Sequence, residues 1–157
     1  MSKVQPKPFT PTQERILSLV IKPMSRINTW VYRMTGGKVG GRWAYGAPVM
    51  LLTVRGRKTG QPRTTPLLYL RDGDDVVTVA SKGGSANHPK WFLNVEVNPE
   101  CEVEIGREKW RMHARRATKE EKARYWPQLV EMYPDYDQYQ ARTARDIPVV
   151  ILSPAGS

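Results

Sequence analysis

Apolar side chains along the first part of the chain recur at spacings of three and four. Ile16, Val20, Met24, Ile27, Val31 and Met34 form one helical stripe. The helix has a legible start: Thr10 suits the cap, Pro11 the first helical position, and Gln13 completes a capping box. Pro23, without an amide hydrogen, is expected to kink or divide it. From residue 47 the pattern shortens to β-branched runs separated by turn residues. These predict strands near 47–55, 63–71 and 75–81, with "DGDD" as a tight hairpin turn between the last two. "SKGGSANHPKWFLNVEVNPE" interrupts the strands, and its part from Pro89 to about Val97 predicts a short helix. Strands near 101–105 and 109–117 follow, split by Gly106. Thr118 and Glu121 form a second capping box, for a helix from Lys119 that Pro127 is expected to interrupt. A tyrosine-rich segment runs to about Arg142, and "IPVVILSP" predicts a final, fully buried strand.

About six mostly antiparallel strands with flanking helices predict an α+β fold, a small barrel rather than a doubly wound sheet. No βαβ alternation, GxGxxG or GxxxxGK[ST] motif is present. The expected organisation is a disordered stretch over residues 1–9 and a single domain over 10–157. A lone cysteine, Cys101, excludes an internal disulfide and a cysteine-only metal site, and favours a reducing, cytoplasmic setting. No apolar run approaches the roughly 20 residues needed to span a bilayer.

Charge changes this picture. The net charge is +10, but residues 1–71 carry +12 with Glu14 as their single acid, and residues 72–157 carry −2. Such asymmetry predicts a local anionic partner: nucleic acid, anionic lipid or a phosphorylated small molecule. Two candidate anion sites stand out. The loop "RGRKTGQPR" (55–63) holds Arg55, Arg57, Lys58 and Arg63 with no acid, and its glycines allow close backbone approach. "ASKGG" (80–84) sets Ser81 and Lys82 before paired glycines. Arg15, Lys22, Arg26 and Arg33 also make the first helix basic and amphipathic, which fits either packing or contact with an anionic membrane.

Tyr133, Tyr136 and Tyr139 recur at intervals of three, as a packing stripe or a pocket wall edged with hydroxyl donors. His88 and His113 are far apart in sequence, no paired carboxylates or Ser-His-Asp set is visible, and no metal site is expected. If the protein is an enzyme, a cofactor carries the hard chemistry.

Taken in order, "KPMSRINTWVYR", "LLTVRGRKTGQPR", "ASKGG", "HPKWFLNVEVNP" and "YWPQLVEMYPDYDQYQ" closely resemble the deazaflavin-dependent nitroreductase family of actinobacteria, over about residues 15–154. The resemblance implies a split β-barrel and binding of coenzyme F420, a reduced 8-hydroxy-5-deazaflavin with a phosphodiester and a glutamate tail. By matching motif positions, Arg57, Lys58 and Thr59 would contact the anionic part. Arg63, Thr64, Thr65, Pro66, Leu67 and Leu68, with Val79, Ala80, Ser81 and Lys82 and with Lys90, Trp91, Phe92, Leu93 and Asn94, would line the rest. Leu68, Ser81, Tyr133, Tyr136 and Tyr139 would face the substrate, with Ser81, Tyr133 and Tyr136 as catalytic donors and Tyr136 also near the cofactor. The implied reaction is hydride transfer to a quinone, an activated enone or a nitroaromatic. Separately, the basic amphipathic residues 10–26, with Ile16, Leu17, Val20 and Ile21 beside Arg15, Lys22 and Arg26, predict reversible attachment to the inner face of the cell membrane, where a menaquinone-like quinone would be the acceptor. The sequence departs from the family pattern at His88, where asparagine is usual, and at Leu68, where the best-known relatives carry tyrosine. Two alternatives remain open on residues alone: a flavin mononucleotide-binding oxidoreductase on the same fold, and a non-enzymatic module binding nucleic acid or lipid.

Overall fold

The computed structural model describes residues 7–155, and over residues 17–25 the backbone alone. Among these, helix α1 (Pro11–Thr35) leads into strands β1 (Val49–Arg55), β2 (Pro62–Leu68), β3 (Leu70–Asp72) and β4 (Asp75–Val79). Helix α2 (Lys90–Val97), strands β5 (Glu100–Ile105) and β6 (Glu108–Arg116), helices α3 (Lys119–Met132) and α4 (Asp135–Arg142), and strand β7 (Val149–Pro154) follow. The strands form one antiparallel sheet in the order β2-β1-β5-β6-β7-β4-β3.

Its two edge strands are consecutive in the chain, with Tyr69 between them, so the sheet must curl until its edges meet there. The hydrogen-bond ladder does not close at that point. Thr78 Oγ1 bridges the split by donating to the Leu68 carbonyl at 2.7 Å. This is the split barrel, and it explains why the expected strand 63–71 is two strands and the total seven rather than six.

Strand alternation then assigns the cores. Met50, Leu52 and Val54 of β1 join Cys101, Val103, Met112, Ala114, Val150, Leu152 and Val76 in one cluster with Trp91, Phe92 and Val95 of α2. A single cluster reached from five strands is the barrel interior. The opposite face divides between two covers. Val77, Val79, Val149 and Ile151 pack under Tyr125, Leu129, Tyr133 and Tyr136, while Val49 and Leu51 pack under Tyr32 of α1. Residues 149–152 are buried throughout, as expected for the last strand.

Both capping boxes form: Thr10 with Gln13, and Thr118 with Glu121. The two prolines behave differently from expectation. Neither α1 nor α3 is divided at Pro23 or Pro127. In α3, Ala123, whose carbonyl loses its partner to Pro127, is exposed together with the proline, so water can take the vacated acceptor.

The apolar stripe of α1 also departs from a packing role. Val20 and Met24 lie outside the residues with described side chains, but Ile27, Trp30 and Met34 are 63%, 64% and 64% exposed. The packed residue of this part is Tyr32, whose hydroxyl accepts from the Gly106 amide at 2.8 Å.

Candidate functional site

The basic loop 55–61 is a tight connection closed by its own backbone. Gly56 donates to the Gln61 carbonyl and Gly60 to the Gly56 carbonyl, both at 2.8 Å, and Gly60 takes φ +72°. Arg55, Arg57, Lys58 and Arg63 are exposed, and among the described residues no ion pair uses any of them. The loop is tied to α2 by one buried side chain. Asn94 Oδ1 accepts from the Arg57 amide at 3.1 Å and from its guanidinium at 3.0 Å. Three cations on a fixed loop, with Arg63 beside them at the start of β2, are thus held without a protein anion, an arrangement suited to an anionic ligand.

Thr64 lies beside this loop on edge strand β2, its hydroxyl 2.8 Å from that of Thr53. Thr65 to Leu68 continue the strand, half-buried. Along α2, Trp91 and Phe92 point into the barrel, Leu93 packs at the margin of the same core, and Lys90 is exposed.

The second turn, Ala80–Ser85, precedes α2. Lys82, Gly83 and Gly84 have φ of +44°, +63° and +80°. A left-handed lysine costs on the order of 1–3 kcal/mol and persists where its surroundings over-determine it. Those surroundings come from elsewhere in the chain. Arg145 donates to the carbonyls of Ala80, Ser81 and Ser85, and Arg142 to that of Gly83. Ser85 donates to the Glu14 carboxylate, with both oxygens at 2.7 Å, and the Phe9 ring lies 4.5 Å from the Arg142 guanidinium. At Gly84 a Cβ would stand 2.7 Å from the Tyr139 carbonyl oxygen, so the turn abuts α4.

The tyrosines gather, though not as one helical turn. Tyr133 caps the end of α3, while Tyr136 and Tyr139 belong to α4. The Tyr133 and Tyr136 rings lie 5.0 Å apart, and the Tyr133 and Tyr139 hydroxyls lie 2.9 Å apart. Tyr45, at φ +61°, adds a fourth ring 5.6 Å from Tyr133 and donates to Asp135. Leu68 and Val79 pack against the same cluster. Burial raises the pKa of both Tyr133 and Tyr136, and the bond to Tyr139 raises Tyr133 further. These hydroxyls therefore stay protonated at neutral pH and can act as donors.

Cys101 is buried, hydrogen-bonded to the Met112 carbonyl, and its thiol is pushed up to about 12 by burial. His113 is exposed beside Glu100, and His88 has its pKa lowered by burial and then by the Arg145 and Arg116 charges. Among the described residues no cluster of metal-ligating side chains occurs, and no helix is long and apolar enough to cross a membrane.

The structure therefore connects the two glycine turns through α2, which begins just after one and pins the other. No local signal marks Arg142 and Arg145, which act across some sixty residues of chain. Glu14 did carry a signal, as the lone acid in a half of charge +12.

The chain is similar to known proteins. An F420H(2)-dependent quinone reductase of Mycobacterium tuberculosis (strain ATCC 25618 / H37Rv) is 40% identical over 131 residues, which cover 82% of this chain and 88% of that protein. A solved F420-H2 dependent reductase (FDR-A) superposes with a TM-score of 0.63 at 39% identity, covering 68% of this chain and 94% of the other. HutZ, the heme storage protein from Vibrio cholerae, shares the fold alone, at 13% identity and a TM-score of 0.52. Residues 24–154 match the family described as F420H(2)-dependent quinone reductase. The chain belongs to that family, and it is an enzyme with reduced coenzyme F420 as its cofactor.

Proposed function

We propose that this protein transfers a hydride from reduced coenzyme F420 to a menaquinone-like quinone, and that nitroaromatics and activated enones also serve as acceptors. The observation that carries the reading is the acid-free loop of three cations, with Arg63 beside it, fixed to α2 through Asn94. It suits a cofactor whose phosphodiester and glutamate tail are anionic.

The bound cofactor supplies a two-electron hydride donor. In our reading Arg57, Lys58 and Thr59 bind its anionic part, with Arg63, Thr64, Thr65, Pro66 and Leu67 beside them. Val79, Ala80 and Lys82, with α2 from Lys90 to Asn94, orient the remainder. Ser81 donates a hydrogen bond to the acceptor oxygen as negative charge develops there, and Tyr133 or Tyr136 acts as the second donor. Burial raises both tyrosine pKa values, which suits hydrogen-bond donation by a neutral hydroxyl rather than outright release of its proton. Leu68 and Tyr139 shape the acceptor side, where leucine leaves an apolar wall suited to a quinone ring.

We further propose reversible attachment to anionic bilayers on the inner face of the cell membrane. Exposed Ile27, Trp30 and Met34 follow one another at spacings of three and four beside exposed Arg26 and Lys38, while Arg33 pairs with Glu104. Each base near such a surface contributes about 1 kcal/mol, an attraction that falls with salt. The test is sedimentation with anionic vesicles at low salt. The wild-type chain should pellet and an Ile27→Ser/Trp30→Ala variant should remain in solution with its cofactor affinity intact; equal behaviour of the two sinks the placement. The reaction is tested by anaerobic turnover of the reduced cofactor with naphthoquinone, nitroaromatic and enone acceptors. Oxidation by none of them would refute the reading.

A further inference from the structure

Arg145 is half-buried, and burial lowers its pKa, yet among the described residues no carboxylate lies within ion-pair distance of it. Its neighbour Arg116 does pair with an acid, Asp146. The guanidinium of Arg145 instead serves one turn. Nε donates to Ser85 O at 2.7 Å, Nη2 to Ser81 O at 2.7 Å and Nη1 to Ala80 O at 3.2 Å. Nη1 also lies 3.2 Å from His88 Nδ1, where α2 is about to begin.

The Glu14 carboxylate acts on Arg145 only from beyond ion-pair distance. Three neutral carbonyls gathered by one rigid planar fork are better explained as a fixing of shape. The shape is one that the chain would not keep unaided, because Lys82 stands at φ +44° between Ser81 and two left-handed glycines. Both ends of the turn, Ala80–Ser81 and Ser85, are held by the same group, so the orientation of Ser81 depends on a residue that need touch neither reactant.

We propose that Arg145 is a positioning residue for the reductase reaction: it holds the Ala80–Ser85 turn from behind and acts on turnover through Ser81. This rests on the reading of Ser81 as an acceptor-facing donor. Arg145→Lys keeps the charge but replaces a three-nitrogen fork by one, so it should be intermediate between wild type and Arg145→Gln.

The test combines amide hydrogen exchange, coenzyme F420 affinity by fluorescence titration, and turnover with a water-soluble naphthoquinone. In Arg145→Gln, exchange should quicken over residues 80–88 while the strands stay protected. The kcat should fall at least tenfold and the coenzyme Kd should change less than threefold. On a Ser81→Ala background the same substitution should lower kcat less than twofold further, because the group it positions is gone. Lys122→Met is the structural control. Lys122 Nζ holds Gln140, Asp146 and the Ile147 carbonyl nearby but makes no bond to the turn. It should lower the melting temperature without lowering kcat.

The inference is overturned if folded Arg145→Gln turns over within threefold of wild type. It is overturned equally if the effect persists in full without the Ser81 hydroxyl, or if neither Arg145 variant folds, which would make Arg145 a stability residue. Failure of the underlying reading looks different: the wild-type protein would bind the coenzyme without reducing a quinone, or Ser81→Ala would match wild type.

Discussion

Asn94→Ala should uncouple the basic loop from α2. The Asn94 side chain is 6% exposed, and its Oδ1 accepts one bond from the Arg57 amide and one from the Arg57 guanidinium, at 3.1 and 3.0 Å. A neutral bond contributes about 0.5–1.5 kcal/mol net and one to a charged group about 1.5–3 kcal/mol. Arg57 is exposed, so water can take over its donors, and the lower end applies. A total of about 2 kcal/mol follows, or roughly 4–8 °C in Tm for a chain of this size. The effect on binding has another origin. A loop released from α2 must be ordered again when the cofactor binds, and ordering one residue's backbone costs about 1–2 kcal/mol. At about 1.4 kcal/mol per factor of ten, the coenzyme Kd should rise roughly 5–30-fold. Thermal melts and fluorescence titration measure the two effects separately. A variant that melts lower but binds the coenzyme with wild-type affinity would show that Asn94 holds the fold alone, and the loop would lose its assigned role.

Tyr133→Phe should lower turnover while keeping coenzyme affinity within about threefold, roughly 0.7 kcal/mol, and steady-state rates equal to wild type on every acceptor would remove that hydroxyl from the mechanism. Double substitution of Arg57 and Lys58 by alanine should raise the coenzyme Kd at least tenfold, as read by calorimetric titration, while a melt shows a Tm loss smaller than that of Asn94→Ala, because both side chains are exposed and the Arg57 amide keeps its bond to Asn94. Cys101, with its thiol pushed up to about 12, should resist alkylation in the native protein at pH 8 and react once denaturant is added; rapid native labelling would contradict its burial. Glu121, held down to about 2 chiefly by its bond to Arg115, has a folded pKa below its unfolded one. Its contribution is therefore present above the unfolded value and lost as pH falls toward 2, so Glu121→Gln should melt below wild type at pH 7 and match it near pH 2, by under about 1 kcal/mol for so exposed a pair.

The sequence made the elements legible where local chemistry decides them. The capping boxes at Thr10 and Thr118 and the "DGDD" turn all formed as read. It misled where tertiary context decides. A break at Tyr69 comes from the sheet curling until its two edges approach, and no local signal at "PLLYLRD" marks it. The α1 stripe looked suited to packing, yet Tyr32 on another face does the packing, because the sheet offers a hydroxyl-sized berth at the Gly106 amide. For the site, charge and glycine placement located both turns. Their connection through Asn94, and the grip of Arg142 and Arg145, depend on approaches between distant segments that no spacing rule encodes.

The central claim is that the fixed cationic loop holds a reduced deazaflavin for hydride delivery to a quinone. Anaerobic mixing of the protein with reduced coenzyme F420 and a naphthoquinone, followed by the absorbance of the oxidised coenzyme, tests it most directly. We predict one coenzyme oxidised per quinone reduced, at a rate that falls when Arg57 and Lys58 are replaced and recovers at saturating coenzyme. No oxidation, or a rate indifferent to both cations at limiting coenzyme, would contradict the account.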